Sequence, residues 1–150
     1  MNTKILTELN ACHEAIEWAR TQPNWETLWS NCNRGDWMLW LIGLTIAGSP
    51  MSDERKPLVL AACDCAELAL KYASEKEDRP RKAIELSRKW ALGDISITKQ
   101  DIRDAAKAAY AAAYDAASAA AYDAADASAY KVLKQCSYIV RTYYPNCPVK

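Results

Sequence analysis

Residues 105–129 read AAKAAYAAAYDAASAAAYDAADASA, and the fold class follows from them. About two-thirds of the stretch is alanine, the residue that favours helix most strongly. Neither glycine nor proline interrupts it, so the run predicts a helix. A helix turns about 100° per residue; with Tyr110 set to zero, Asp101, Asp104, Asp115, Asp123 and Asp126 fall at about 180°, 120°, 140°, 220° and 160°. Five carboxylates share one face. The opposite face is alanine alone, at Ala106, Ala109, Ala113, Ala117, Ala120 and Ala124. The tyrosines wind around the helix: Tyr122 and Tyr130 flank the acidic face, and Tyr138 lies on the alanine side.

Working outward, Thr98 and Asp101 have capping-box spacing and predict the start of this last helix. Tyr144-Pro145 forces an exit after Tyr143. The interval is about 45 residues, or about 65 Å at the helical rise. A compact domain of this size is only about 30–35 Å across, so the helix projects from the domain or kinks near Ser118 or Ser128. Upstream, Ile5, Leu9, Cys12, Ile16 and Ala19 recur at helical spacing and predict one helix over residues 3–20, with Thr3 as N-cap. Asn24 caps a short helix holding Trp25, Leu28 and Trp29. Asp36 reads as the N-cap of an apolar helix over residues 37–47, stopped by Gly48-Ser49-Pro50. Ser52 caps the next helix, and Pro80 suits the first turn of another that ends at Gly93. β-Branched residues never cluster in alternation, so strands have no support. The expectation is a single all-α domain over residues 1–150, roughly a six-helix compact bundle.

The 150 residues carry 19 basic and 19 acidic side chains and no net charge. Nothing therefore steers the whole molecule towards nucleic acid or an acidic membrane, and direct nucleic-acid binding is not expected. The first 20 residues lack the apolar core of a secretory signal, and the apolar run Trp37 to Ala47 is too short to cross a bilayer. The reading is cytoplasmic, without a membrane. The six cysteines show no CxxC pair and read as reduced thiols. Cys63 and Cys65 would point about 160° apart on a helix, which makes a poor zinc site. With one histidine, no GxSxG element and no glycine-rich phosphate loop, the usual nucleophile and base pairs are missing. No catalytic residue, metal or cofactor is expected, and the chain reads as a non-enzyme.

Two surfaces remain as candidates. The first is the acidic face, with Asp104, Asp115, Asp123, Asp126, Tyr122 and Tyr130. No Lys or Arg stands three or four positions from Asp115, Asp123 or Asp126, so local pairing does not relieve their repulsion. Solvation, cations of the Arg79, Arg81 and Lys89 segment, or a partner with a basic surface would do so. The second is Arg34, Asp36 and Trp37, where a guanidinium, helix-start donors and an indole could hold a nucleotide-like ligand. The six tryptophans supply core volume that alanine cannot, or an aromatic wall for a flat ligand. The alanine face is core or a seam for self-association into a homo-oligomeric structural protein.

The strings Arg34-Gly35-Asp36-Trp37-Met38-Leu39-Trp40-Leu41 and Leu58-Val59-Leu60-Ala61-Ala62-Cys63-Asp64-Cys65-Ala66 add a further clue. With them stand Ala83-Ile84-Glu85, Trp90-Ala91-Leu92-Gly93, the alanine-rich helix and the closing Ile139-Val140-Arg141. This ordered set, from about Trp25 to Pro145, resembles the all-α immunity protein family of bacterial polymorphic toxin systems, also found in phages. The resemblance implies an all-α fold and a protein that neutralises a toxin by stoichiometric binding. In a phage, the same resemblance would suit an inhibitor of a host defence effector. It carries over no catalytic residues.

Overall fold

The structure, a computed structural model, describes residues 2–70, 77–104 and 126–149, with side chains of the last segment described from Tyr130 onward. Among these residues there are seven named α-helices, a further helical stretch at residues 99–104, one 3-10 turn and no strand, so the protein is all-α. The helices are α1 (Lys4–Glu8), α2 (His13–Arg20), α3 (Trp25–Asn31), α4 (Gly35–Thr45), α5 (Lys56–Leu70), α6 (Arg79–Ala91) and α7 (Asp126–Tyr143). The turn Asp53–Arg55 leads into α5.

Several boundaries follow from side chains that satisfy orphan helix-end groups. The Asn24 carboxamide accepts the Thr27 N–H at 2.7 Å and starts α3. Thr98 and Asp101 cap each other: the Thr98 N–H donates to Asp101 Oδ2 at 2.8 Å, and the Asp101 N–H donates to Thr98 Oγ1 at 3.2 Å. This is the capping-box spacing read in the sequence. At the end of α6 the Gly93 N–H reaches the Trp90 carbonyl and the Asp94 N–H the Lys89 carbonyl. With Gly93 at φ 101°, that pair of bonds is a Schellman ending.

Three expectations are corrected. Residues 3–20 form two helices. Asn10 stands at φ 61°, its N–H bonds to the Thr7 carbonyl, and the Ala11 N–H bonds to the Leu6 carbonyl. The same ending that glycine gives α6 is supplied here by asparagine, which tolerates the left-handed region better than other side chains. Asp36 is not the N-cap of α4. The helix begins two residues earlier than expected, at Gly35 after Arg34, and Asp36 lies in its first turn with its carboxylate turned back to the Arg34 guanidinium. Thr3 and Ser52 precede helical turns, but neither side chain makes a capping hydrogen bond. The expected length and kink of the last helix, with Ser118 and Ser128, lie outside the described residues and side chains.

Helix α5 is central, packing against α4, α6 and α7, while α4 also packs on α7. This position explains why Cys63 and Cys65 are both buried although they point to opposite sides of one helix. The Cys63 thiol faces the Ile84 carbonyl of α6 at 3.6 Å, and the Cys65 thiol faces the Cys136 carbonyl of α7 at 3.7 Å. All six cysteines are free thiols. One apolar core runs from Leu6 through Trp29, Met38 and Ile42 to Val140 and Val149. Trp29 is only 2% exposed, and Trp18, Trp25, Trp37 and Trp40 pack against the core.

Candidate functional site

Arg34 ends the linker between α3 and α4, and its side chain folds back over the first turn of α4. Its guanidinium donates to both carboxylate oxygens of Asp36, at 2.9 and 2.7 Å. Nη1 also reaches Glu14 of α2 at 3.3 Å. The guanidinium lies 4.2 Å from the Trp37 ring centroid, in the range of a cation–π contact. Trp37 in turn meets Trp18 at 5.9 Å between centroids, tilted by 50°. The hydrogen bond to Asp36 is the first cause that raises the Arg34 pKa, so the cation is fixed. The structure thus brings Arg34, Asp36 and Trp37 together. Yet Arg34 already spends its donors on two carboxylates, and the cluster holds one positive charge against two negative. That sign opposes a phosphate.

Of the acidic face, Asp104 and Tyr130 are described with their side chains. Asp104 is exposed and accepts from the Gln100 carboxamide at 2.7 Å. Tyr130 is 54% exposed in the first turns of α7. Asp126 begins α7, but its side chain, together with Asp115, Tyr122 and Asp123, lies outside the description. Asp101, on the same face by helical angle, is held in the capping box, where the Thr98 hydroxyl is the first cause lowering its pKa.

The cations upstream are largely engaged with nearby acids. Arg79 pairs with Glu77, whose pKa its hydrogen bond lowers to about 2. Lys82 pairs with Asp78 at 2.6 Å and Lys89 with Glu85 at 2.7 Å. Arg88 donates to Asp64 of α5 at 2.7 Å and lies 2.8 Å from Glu67. Asp64 also accepts the Tyr143 phenol at 2.6 Å, so one carboxylate joins α5, α6 and α7. Arg81 forms no ion pair among the described residues and lines a groove of about 620 Å³ with Glu67, Glu85, Arg88 and Lys89. The groove carries both signs of charge.

Sequence reasoning assigned no structural role to Arg141. Among the described residues its guanidinium binds no carboxylate. It donates to the Trp29 carbonyl at 2.8 and 3.0 Å, to the Cys32 carbonyl and to the Ser137 carbonyl at 3.2 Å. Trp29 and Cys32 stand at the end of α3, where unpaired carbonyls gather partial negative charge. The Trp29 indole completes the clasp by donating to the Tyr144 carbonyl at 2.9 Å. Burial lowers the Arg141 pKa, and the carbonyls supply the compensation. The one sequence signal is a lone cation following the apolar pair Ile139-Val140.

No helix of the described residues is long and apolar enough to cross a membrane. Among the same residues no group of three His, Cys, Asp or Glu side chains could hold a metal. A family profile described as Imm-5 like putative immunity protein matches residues 50–133. No curated protein and no solved structure matches the chain.

Proposed function

The chain belongs to the Imm-5 like family of immunity proteins, and from that premise we propose that it neutralises a toxin or defence effector by stoichiometric, non-catalytic binding in the cytoplasm. The observation that carries the reading is the matched segment, residues 50–133. It contains Asp104, Asp115, Asp123 and Asp126, together with Tyr122 and Tyr130. The Arg34 cluster falls outside it.

The proposed contact surface is the acidic helix face. Carboxylates without local counter-charges attract a basic surface, speed encounter and fix orientation. Tyrosine beside aspartate adds contact area with little loss of side-chain entropy. A toxin that acts on nucleic acid would present such a basic cleft. The exposed Asp104 and Tyr130 support this reading, whereas the fork between Arg34 and Asp36 weighs against a nucleotide-like ligand there.

Growth rescue tests the proposal. A candidate effector, taken from the genes neighbouring this one, is expressed with the wild-type chain or with the quadruple variant Asp104→Lys, Asp115→Lys, Asp123→Lys and Asp126→Lys. Protection should be lost while the circular-dichroism melt stays in place, and Arg34→Ala should still protect. Full protection by the quadruple variant would sink the acidic-face reading. Absence of a one-to-one complex with the wild-type chain in light scattering would sink the inhibitor reading itself.

A further inference from the structure

The geometry points to a second, independent binding site: an apolar cavity of about 270 Å³ between α1, α2, α3 and α4 that takes a small, neutral, flat aromatic molecule. The cavity exists because α1 and α2 are separate helices. The left-handed turn at Asn10 ends the first of them, and the connecting Ala11 together with Ala15 and Ala19 of α2, spaced four apart, lines the space. Four indoles line it with them: Trp18 from α2 itself, Trp29 from α3, and Trp37 and Trp40 from α4. Alanine leaves room that the rings do not fill.

Three features define the occupant. The first is size. An apolar cavity of about 150 Å³ stays dry and admits benzene, so a space of about 270 Å³ accommodates two fused rings. Apolar surface left against water is disfavoured, and an occupant covers it. The second is charge. No charged side chain lines the cavity, and a buried ion without a partner is strongly disfavoured. The third is access. Leu28, Met38 and Leu41 are buried and form the floor, whereas Asn10 and Cys12 are exposed and form the rim. The Asn10 carboxamide has no hydrogen-bond partner among the described residues and is placed to accept a ring N–H or O–H. The wall is rigid in advance, because Arg34 stacks on Trp37 and Trp29 is tied to Tyr144. A site that is already ordered loses less entropy on binding.

The probe is indole, titrated into the full-length chain by calorimetry and followed by thermal shift. Indole should bind saturably at one site and raise the melting temperature. Indole-3-acetate, choline and AMP, which carry charge, should bind at least about tenfold more weakly. Ala15→Phe fills the space and should weaken indole at least about tenfold; Ala11→Leu serves the same purpose if the phenylalanine variant does not fold. A separate readout uses the rim. Cys12 is the one exposed cysteine, and saturating indole should slow its alkylation several-fold, as measured by mass spectrometry. No saturable indole binding, equal or tighter binding of a charged analogue, or unchanged affinity in both filled variants would overturn the proposal. The Asp104 to Asp126 variants of the growth assay leave this site intact, so the two readings fail independently.

Discussion

At Gly35 the backbone of α4 rests directly on the backbone of α7. A Cβ there would meet the Cys136 Cβ and stand 2.7 Å from both the Cys136 carbonyl carbon and the Ser137 nitrogen. None of these atoms can swing aside, so only glycine fits. Cys136 and Ser137 are small for the same reason: α4, α5 and α7 converge there, with Ser137 wholly buried. Gly35→Ala should therefore cost about 2–3 kcal/mol, the upper part of the usual overpacking range, measured by urea denaturation. Gly93→Ala is the contrasting case. Its Cβ would meet nothing within 4 Å, but its φ of 101° strains any L side chain, and the loss should be about 1 kcal/mol. Arg141→Met should cost about 2–3 kcal/mol, because it strands the buried carbonyls of Trp29 and Cys32. Arg141→Lys should recover little of that loss, since a point charge cannot serve both carbonyls as the planar fork does. This corner was legible only in part. Asp36 read as a cap but is a counter-ion to Arg34, and the packing role of Gly35 left no signal in the sequence.

Among elements, local chemistry was the legible part. Asn24, the Thr98–Asp101 pair, Pro80 and Gly93 announced their boundaries because each satisfies or removes an orphan backbone group within a few residues. The division of residues 3–20 was not legible, because Leu9 and Cys12 keep helical spacing across the break. Periodicity reports which residues face the core. It does not report whether the backbone between them continues, and asparagine in a left-handed turn leaves no gap in the apolar pattern. The expected consequence is measurable. Asn10→Gly should hold or slightly raise the melting temperature, as glycine adopts this conformation without strain. Asn10→Ala should lower stability by about 1 kcal/mol. Helix α5 shows the same limit from the other side. Its two cysteines point apart, which makes a poor shared zinc site by spacing, but only the packing of α6 and α7 on its flanks explains why both are buried.

For the molecule as a whole, the all-α class and the family were readable from ordered strings along the chain. The candidate interface was readable only as a pattern of charge. No spacing rule could foresee that Arg141, near the end of the chain, would satisfy α3 near its beginning. The arrangement of thiols and phenols predicts a response to alkali. Burial is the first cause raising the pKa values of Cys32, Cys63, Cys147 and Tyr144, and the hydrogen bond to Asp64 is the first cause for Tyr143. In each case the unfolded chain loses its proton first. The contribution is full below the unfolded pKa values, which begin at about 8.5 for Cys and 10 for Tyr, and is lost as pH rises through the folded ones. Urea-derived stability should therefore fall steadily above about pH 8.5. Tyr143→Phe should lower stability at neutral pH and flatten the decline above about pH 10. A curve without alkaline decline would contradict this account. The clasp between Trp29 and Tyr144 also bears on synthesis. Its two partners are 115 residues apart, and a ribosome adding about 5–20 residues per second separates their appearance by roughly 6–23 s. Through that interval the nascent N-terminal half has neither its closing helix nor its last hydrogen bonds, and its indoles lack their final cover. On the proposed function, protection measured from the moment of induction should lag by at least the time needed to translate the final helix.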